Sequence, residues 1–286
     1  MKNLTNQIAL ITGANVGIGQ VTAMTLAQRG ARVFLAGRSQ ARTQAVVDAI
    51  IAATGRADAA HWLPLDLADL HSVRACAQTF LGMNLPLHLL INNAGLAGAK
   101  GVTAQGFEMA FGVNHLGHFE LTQRLLDRIK ASGPARIVTV ASRAHRMAVN
   151  GIDWAALRKP TQSWTGVNEY AVSKLANILF SAELSRQLVG TEVSTYALHP
   201  GVVDTEVWRE LPSFLRPLLR LRGLLTPEQG AQTSLYCATE APAQESGLYY
   251  ANRKVQTPTA LAQDPALAKR LWEFSLSVTA NEKAAL

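Results

Sequence analysis

Residues 8–28 read IALITGANVGIGQVTAMTLAQ. A short apolar run of strand length, 8–12, passes straight into Thr12-Gly13-Ala14-Asn15-Val16-Gly17-Ile18-Gly19, and helical spacing begins at once. Glycines allow a tight turn and let backbone N–H groups approach a pyrophosphate closely. The N-terminus of the following helix adds unpaired donors and a partial positive charge. Strand, glycine turn and helix in that order predict a dinucleotide site, with Gly13, Asn15, Gly17, Ile18 and Gly19 forming the phosphate turn.

The same alternation continues outward. Apolar runs of strand length recur at 32–36, 60–65, 87–91, 136–140, 193–199 and 247–251. Segments with helical spacing lie at 17–29, 40–54, 70–82, 104–131 and 168–189. Strands that alternate with helices imply βαβ units and a parallel sheet, and near-continuous apolar strands imply a sheet covered on both faces. The expected fold is α/β: a single doubly wound Rossmann domain over residues 1–286, with a mostly parallel seven-stranded sheet. Two stretches break the rhythm, 143–167 and 204–225. In the second, Pro212 and Pro217 forbid one continuous helix. It follows the end of a strand, on the edge where open α/β sheets bind ligands, and is expected to form a substrate-side lid at about 204–225.

Composition excludes several other classes. The chain has 286 residues, 48% hydrophobic and 16% charged, enough apolar content for a large core and too little charge for a disordered polyelectrolyte. Cys76 and Cys237 are far apart, so neither a disulfide framework nor a zinc module is implied. The first apolar run is too short for a signal-peptide core and no run approaches a membrane span, so a cytoplasmic protein without an integral membrane segment is expected. The net charge of +7 is concentrated in residues 1–143, with 13 Lys/Arg against 7 Asp/Glu. No basic block appears, which argues against nucleic acid; the excess reads first as a solvated basic surface, and alternatively as attraction of a polyanionic ligand to this half. His115, His118 and His145 lack carboxylate company at ligand spacing, and no metal is expected.

Three further features carry chemistry. The second strand ends in Ala36-Gly37-Arg38-Ser39, and the first acid beyond it is Asp48. A carboxylate near this point would accept the 2′-hydroxyl of an NAD ribose; a guanidinium would instead hold a 2′-phosphate. Tyr170-Ala171-Val172-Ser173-Lys174 puts a phenol and an ammonium four residues apart on one helical face. An unperturbed phenol titrates near pH 10, and a nearby cation favours its ionised form, so the pair is a sensible general acid/base. Ser142 follows the fifth strand, RIVTVAS, at its C-terminal edge.

These motifs together resemble the short-chain dehydrogenase/reductase family, whose common form carries TGxxxGIG and YxxxK. The resemblance runs over residues of about 5–255. It implies NADP(H) as cofactor through Arg38, with Asp66 and Leu67 against the adenine. It makes Asn93-Ala94-Gly95 part of the NNAG motif beside the cofactor. It makes Asn114, Ser142, Tyr170 and Lys174 the catalytic tetrad. Tyr170 would exchange a proton with the substrate oxygen, Ser142 would orient that oxygen, Lys174 would hold the nicotinamide ribose and tune Tyr170, and Asn114 would hold a water. Pro200, Gly201, Val202 and Thr205, within HPGVVDT, would lie over the nicotinamide. The 28-residue separation of Ser142 and Tyr170, the RAH after Ser142 and the closing LWEFS resemble the retinol dehydrogenase and protochlorophyllide-reductase-like branch.

The function so implied is an NADP(H)-dependent oxidoreductase interconverting a carbonyl and an alcohol. The substrate would be an apolar ketone, aldehyde or alcohol. The alternative is an NADP(H)-binding regulatory protein on the same fold, without turnover, against which the intact tetrad argues. A sugar-nucleotide epimerase is disfavoured by the glycine spacing, and light-dependent reduction of a chlorophyll precursor shares the branch. Trp154, Trp164, Trp208 and Phe214 are candidates for either an apolar pocket or ordinary core. The family's habit of pairing helices around 114–131 and 168–189 implies a possible homodimer.

Overall fold

The computed structural model describes residues 3–203 and 224–281. Thr205, Trp208, Phe214 and all but the end of the expected lid lie outside the described residues.

Seven strands run parallel: β1 Ile8–Thr12, β2 Arg32–Gly37, β3 Ala60–Pro64, β4 Leu89–Asn92, β5 Ala135–Val140, β6 Val193–His199 and β7 Tyr249–Ala251. The sheet order is β3-β2-β1-β4-β5-β6-β7-β8. The sheet thus has one strand more than the seven expected. β8, Lys254–Val255, is a two-residue edge strand antiparallel to β7. The hairpin between them turns on Asn252 and Arg253, both at positive φ, as a two-residue loop of this hand requires.

Each inner strand is apolar on both sides because helices cover both. Along β1, Ala9 and Ile11 join one core cluster while Ile8 and Leu10 join the other. On β2 the split is Val33 and Leu35 against Phe34 and Ala36. The first layer is closed by α1 (Gly17–Gln28), α2 (Gln40–Thr54) and a C-terminal helix, α7 (Pro227–Thr239), through Leu26, Ile50 and Leu235. The second is closed by α3 (Leu70–Gly82), α5 (Gly117–Lys130) and α6 (Val167–Gln187), through Phe80, Leu125 and Leu184.

The expected helix at 104–131 starts later than its apolar spacing suggests. Gly106 sits at φ +73 and Thr103 N–H donates to the Phe107 carbonyl at 2.7 Å, which closes a turn before the helix. A short helix, α4 (Met109–Phe111), leads into a π turn over Gly112–Leu116, where Gly117 N–H reaches back to the Gly112 carbonyl, and then into α5. Asn114 lies in that π turn.

Two last helices, α8 (Ala260–Gln263) and α9 (Pro265–Asn281), fold back over the same helix pair that the family resemblance associates with dimer pairing. On α9, Trp272 stacks on Phe180 of α6, centroids 6.0 Å apart, and meets Phe119 of α5 edge-on at 5.2 Å. The buried Arg74 ties α3 to both: it pairs with Glu120 at 2.7 Å and donates to the Thr279 carbonyl at 2.8 Å. Among the described residues no helix is long and apolar enough to cross a membrane.

Trp272→Ala removes an aromatic body that holds α9 to two helices. It should cost about 2 kcal/mol, read as a lower denaturant midpoint with an unchanged slope.

Candidate active site

Parallel strands leave their C-terminal ends on one edge, and β1 and β4 are neighbours where the strand order reverses. That junction is the natural crevice of a doubly wound sheet. Here it is tied by one hydroxyl. Thr12 Oγ1 accepts N–H bonds from Asn93 at 3.0 Å and Ala94 at 2.9 Å, and lies 2.8 Å from His118 Nε2. His118 Nδ1 lies 3.0 Å from the Asn114 carbonyl, which only accepts, so Nδ1 carries the ring proton and Nε2 accepts from the Thr12 hydroxyl. Burial holds this imidazole neutral, its pKa pushed down to about 4.

The glycine turn is shaped for close approach. Gly13 takes φ +65, and a Cβ on Gly19 would lie 2.4 Å from the Gly13 carbonyl oxygen and 2.5 Å from Asn93 Nδ2. Asn93 braces the turn from the other side, donating to the Thr12 carbonyl at 2.9 Å. Helices α2, α3 and α7 are each capped by a side chain, Ser39, Asp69 and Thr226. α1 begins after Val16 with no side-chain cap. α6 also starts without one, after Gly166, so it is the close-approach glycine turn in front of α1 that makes these residues fit a pyrophosphate at its first N–H groups.

The expected cofactor residues follow this edge. Arg38, just past β2, is exposed and makes no hydrogen bond or ion pair with another described residue. Asp66 accepts Ala68 N–H at 3.0 Å, while Leu67 is buried. Gly95 is exposed, and a Cβ there would come 3.4 Å from Lys174 Nζ. Pro200, Gly201 and Val202 leave the end of β6, and Leu225 N–H donates to the Val202 carbonyl at 2.8 Å.

Ser142, Tyr170 and Lys174 meet at the end of β5. The Ser142 hydroxyl lies beside the Tyr170 phenol and favours its ionised form, and Lys174 Nζ lies 5.6 Å from the Tyr170 ring centre. Ser142 Oγ also accepts Ala144 N–H at 3.1 Å, which commits a lone pair and leaves the hydroxyl proton to be donated. Lys174 Nζ donates to the Val140 carbonyl at 2.8 Å, shared with Asn177 Nδ2 at 3.2 Å. Burial pushes the Lys174 ammonium down to about 7. Burial also pushes the Tyr170 phenol up to about 12, against the opposing effect of the Ser142 hydroxyl. At neutral pH the phenol thus holds its proton.

Asn114 sits behind them. Its Nδ2 donates to the Leu96 carbonyl at 3.0 Å and to Ser173 Oγ at 2.9 Å, and its Oδ1 accepts Leu96 N–H at 2.9 Å. Both amide protons are spent on bracing the segment after β4 against α6, and one lone pair on Oδ1 is left for a water.

Several contributors escaped sequence reasoning. Thr12 was read only as part of the glycine turn, His118 only as a histidine without metal company, and the supporting Ser173 was hidden inside YAVSK. The histidines considered as ligands are placed otherwise: His115 Nε2 contacts Ser275 Oγ at 2.9 Å, and His145 contacts the Ser142 carbonyl at 2.7 Å. Among the described residues no group of three or more His, Cys, Asp or Glu could hold a metal ion. Trp154 packs edge-on against Phe274 of α9 at 5.3 Å, whereas Trp164 is exposed.

A dinucleotide crevice, a Tyr–Lys pair on one helix and a serine at the neighbouring strand end together define a class, and the chain belongs to the short-chain dehydrogenase family. The family model for short chain dehydrogenase matches residues 7–154. Human retinol dehydrogenase 11 is 45% identical over 276 residues, 95% of this chain and 85% of that protein. Human dehydrogenase/reductase SDR family member 13 is 44% identical, spanning 96% of this chain and 74% of that one. Mouse polyprenol dehydrogenase is 43% identical, over 96% and 84% respectively. An uncharacterised protein from Mycobacterium paratuberculosis, solved by crystallography, superposes with a TM-score of 0.78 at 32% identity, over 98% of this chain and 95% of that one. The chain is a retinol dehydrogenase-like member of an oxidoreductase family that uses a nicotinamide dinucleotide and interconverts carbonyls and alcohols.

A buried ammonium opposes folding. Because the folded pKa of Lys174 is about 7 and its unfolded value is near 10.5, the penalty is complete below about pH 7 and disappears as pH rises toward the unfolded value. Lys174→Met should therefore stabilise the ligand-free protein, and by more at about pH 6 than at about pH 9.5, in parallel thermal melts. A gain independent of pH would show that the ammonium carries no burial cost.

Proposed function

We propose that the chain is an NADP(H)-dependent oxidoreductase that interconverts an apolar ketone or aldehyde with the corresponding alcohol. The observation that carries this reading is the burial of the Tyr170 phenol with Lys174 Nζ 5.6 Å from its ring, at the strand end that carries the buried Ser142. When bound, the nicotinamide supplies or accepts the hydride; the protein's part is to orient and to move a proton.

Tyr170 is the acid in reduction and gives its proton to the carbonyl oxygen; in the reverse direction the phenolate takes it from the alcohol. Ser142, its lone pair already committed to Ala144 N–H, donates to the same oxygen and polarises it. Lys174 keeps Tyr170 within a cationic field and reaches toward Gly95, the side on which the nicotinamide ribose is expected. Asn114 holds the floor of this site and offers Oδ1 to a water that returns protons to Tyr170. The pyrophosphate is assigned to the uncapped start of α1 and the NNAG segment.

Arg38 supports the choice of NADP(H). It stands exposed and without a hydrogen-bond or ion-pair partner among the described residues just past β2, with no acid in the loop to receive a ribose hydroxyl. An apolar substrate is favoured by the relatives, whose names specify retinol and polyprenol, both hydrophobic alcohols. Two free, buried cysteines support the cytoplasmic placement read from the sequence.

A panel of apolar ketones, aldehydes and alcohols, assayed with NADPH and NADP⁺, tests the reading; cofactor binding with no turnover on any of them would favour the regulatory alternative. Arg38→Ala should weaken NADPH binding by about ten- to a hundred-fold and leave NADH binding nearly unchanged, because only the phosphate contact is lost. Equal losses would make Arg38 a structural residue.

Tyr170→Phe should lower kcat by about a hundred-fold or more with cofactor affinity retained. In the unmodified enzyme the phenol must be protonated to reduce and ionised to oxidise. With the phenol pushed up to about 12, reduction should stay level, and oxidation quicken as the phenolate fraction grows, as pH is raised from about 6 to about 10. Near-normal turnover in Tyr170→Phe would end the assignment.

A further inference from the structure

The peptide group that joins Ser142 to Arg143 is held from both sides by imidazoles. Its carbonyl oxygen accepts from His145, through the backbone N–H at 3.2 Å and through ring Nδ1 at 2.7 Å. Its N–H, on Arg143, donates to His199 Nδ1 at 3.3 Å. His145 belongs to the 3₁₀ turn Arg143–Met147 that follows Ser142. His199 is the last residue of β6 and begins the HPG motif. Ser142, His145 and His199 are buried, while the Arg143 side chain is exposed.

The partners fix the protonation of each ring. The Ser142 carbonyl only accepts, so His145 Nδ1 carries a proton. Its Nε2 lies 3.3 Å from Thr259 N–H, which only donates, so Nε2 carries none. For His199 the order is reversed: Arg143 N–H only donates, so Nδ1 is bare and the proton sits on Nε2. The site therefore requires two neutral histidines of opposite tautomer. Burial favours neutrality in both, pushing His145 below its ordinary range and His199 down to about 4. The charged and titratable groups facing them act in the same direction or are neutral: Arg143 and Arg146 on the turn are cationic, and the Tyr249 phenol from β7 is pushed up to about 12 by burial.

His199 also does for the ladder what a main-chain carbonyl can no longer do. Ala141 N–H donates to the Leu198 carbonyl at 2.7 Å, continuing the β5–β6 pairing by one residue beyond β5. After Ser142 the backbone turns away, and the His199 ring meets the next available donor. His145 then anchors the turn to Thr259, ahead of α8. The Ser142 side chain thus leaves a peptide plane whose two hydrogen-bonding groups both have imidazole partners.

We propose that His145 and His199 are positioning residues for the carbonyl–alcohol reaction, clamping the Ser142–Arg143 peptide so that the Ser142 hydroxyl stays aimed at the oxygen it shares with Tyr170. This rests on the oxidoreductase reading of the Ser142–Tyr170–Lys174 site. Neither ring touches the reacting atoms; both act through Ser142.

The clamp and its kinetic consequence are tested separately. Long-range ¹H–¹⁵N spectra of the full-length protein with NADPH bound, at neutral pH, should show His145 protonated on Nδ1 and His199 on Nε2. Matching tautomers, or a charged ring on either, would overturn the clamp whatever the activity. For the kinetic arm, His145→Leu and His199→Leu remove the bonds. His145→Asn restores a donor near the Nδ1 position, and His199→Asn restores an acceptor there. The leucine variants should lose about a hundred-fold in kcat, as expected when a reacting group is misplaced by about 1 Å, with NADPH affinity and KM little changed. The asparagine variants should recover most of the loss. Leucine variants with normal kcat would refute a positioning role. So would asparagine variants that fold, bind NADPH and are as slow as the leucine ones. If the unmodified enzyme turned over no carbonyl or alcohol, the oxidoreductase reading would fall and the positioning role with it, while the tautomer spectra would still decide whether the clamp exists.

Discussion

A hydroxyl group has one proton and two lone pairs, and at Thr12 all three are used at the one place where the sheet changes direction. The lone pairs take two consecutive N–H groups after β4, and the proton goes to His118 on α5. Three elements that arrive from different parts of the chain are fixed there, with the Ile91 carbonyl at 3.4 Å as a second acceptor for the same proton. The glycine turn begins at the next residue, so its position relative to the NNAG segment is inherited from this bond set. Asn114, whose carbonyl orients the His118 ring, is part of the same chain of contacts and passes it on to Ser173 and α6. The dinucleotide side and the proton-transfer side of the crevice are connected through side chains that never meet a ligand.

The second organising fact is the cost of burying polar groups. Lys174 and Tyr170 both lie in surroundings that disfavour their charged forms. A core built for stability would not place an ammonium and a phenol together under α6. The surrounding fold tolerates them because the sheet is covered on both faces and α9 adds a further layer over α5 and α6. A site of this kind draws on stability generated elsewhere, a common arrangement where reacting groups need pKa values far from their solution values.

Much of this was legible in the residues. The strand at 193–199 and the helix at 40–54 coincide with their apolar patterns to the residue, because buried parallel strands and flanking helices leave strong periodic signals. The glycine turn, Ser142 and the Tyr170–Lys174 pair stand where the motifs put them, since their spacing is set by the local geometry that makes them useful. The misses have physical reasons. β8 is two exposed residues on a loop with Asn-Arg instead of Asn-Gly, too short and too polar to register. The helix expected from 104 starts at Met109 because a glycine turn interrupts an otherwise apolar run. The partners of the three histidines, for which no metal was expected, left no mark in the sequence: His115 and His118 meet the hydroxyls of Ser275 and Thr12, and His145 meets backbone groups, one of them 114 residues away, a relation that no local spacing encodes.

The bond between Leu225 N–H and the Val202 carbonyl pins the chain on the far side of the HPG motif back onto the end of β6. Val203 and Leu225 add an isolated parallel bridge at the same place. The entropic cost of closing a chain between two such points grows only slowly with its length, by about 0.6 kcal/mol for each doubling. Pro200–Val202 are therefore held by a tie whose closure cost is nearly insensitive to insertions or deletions between its two ends.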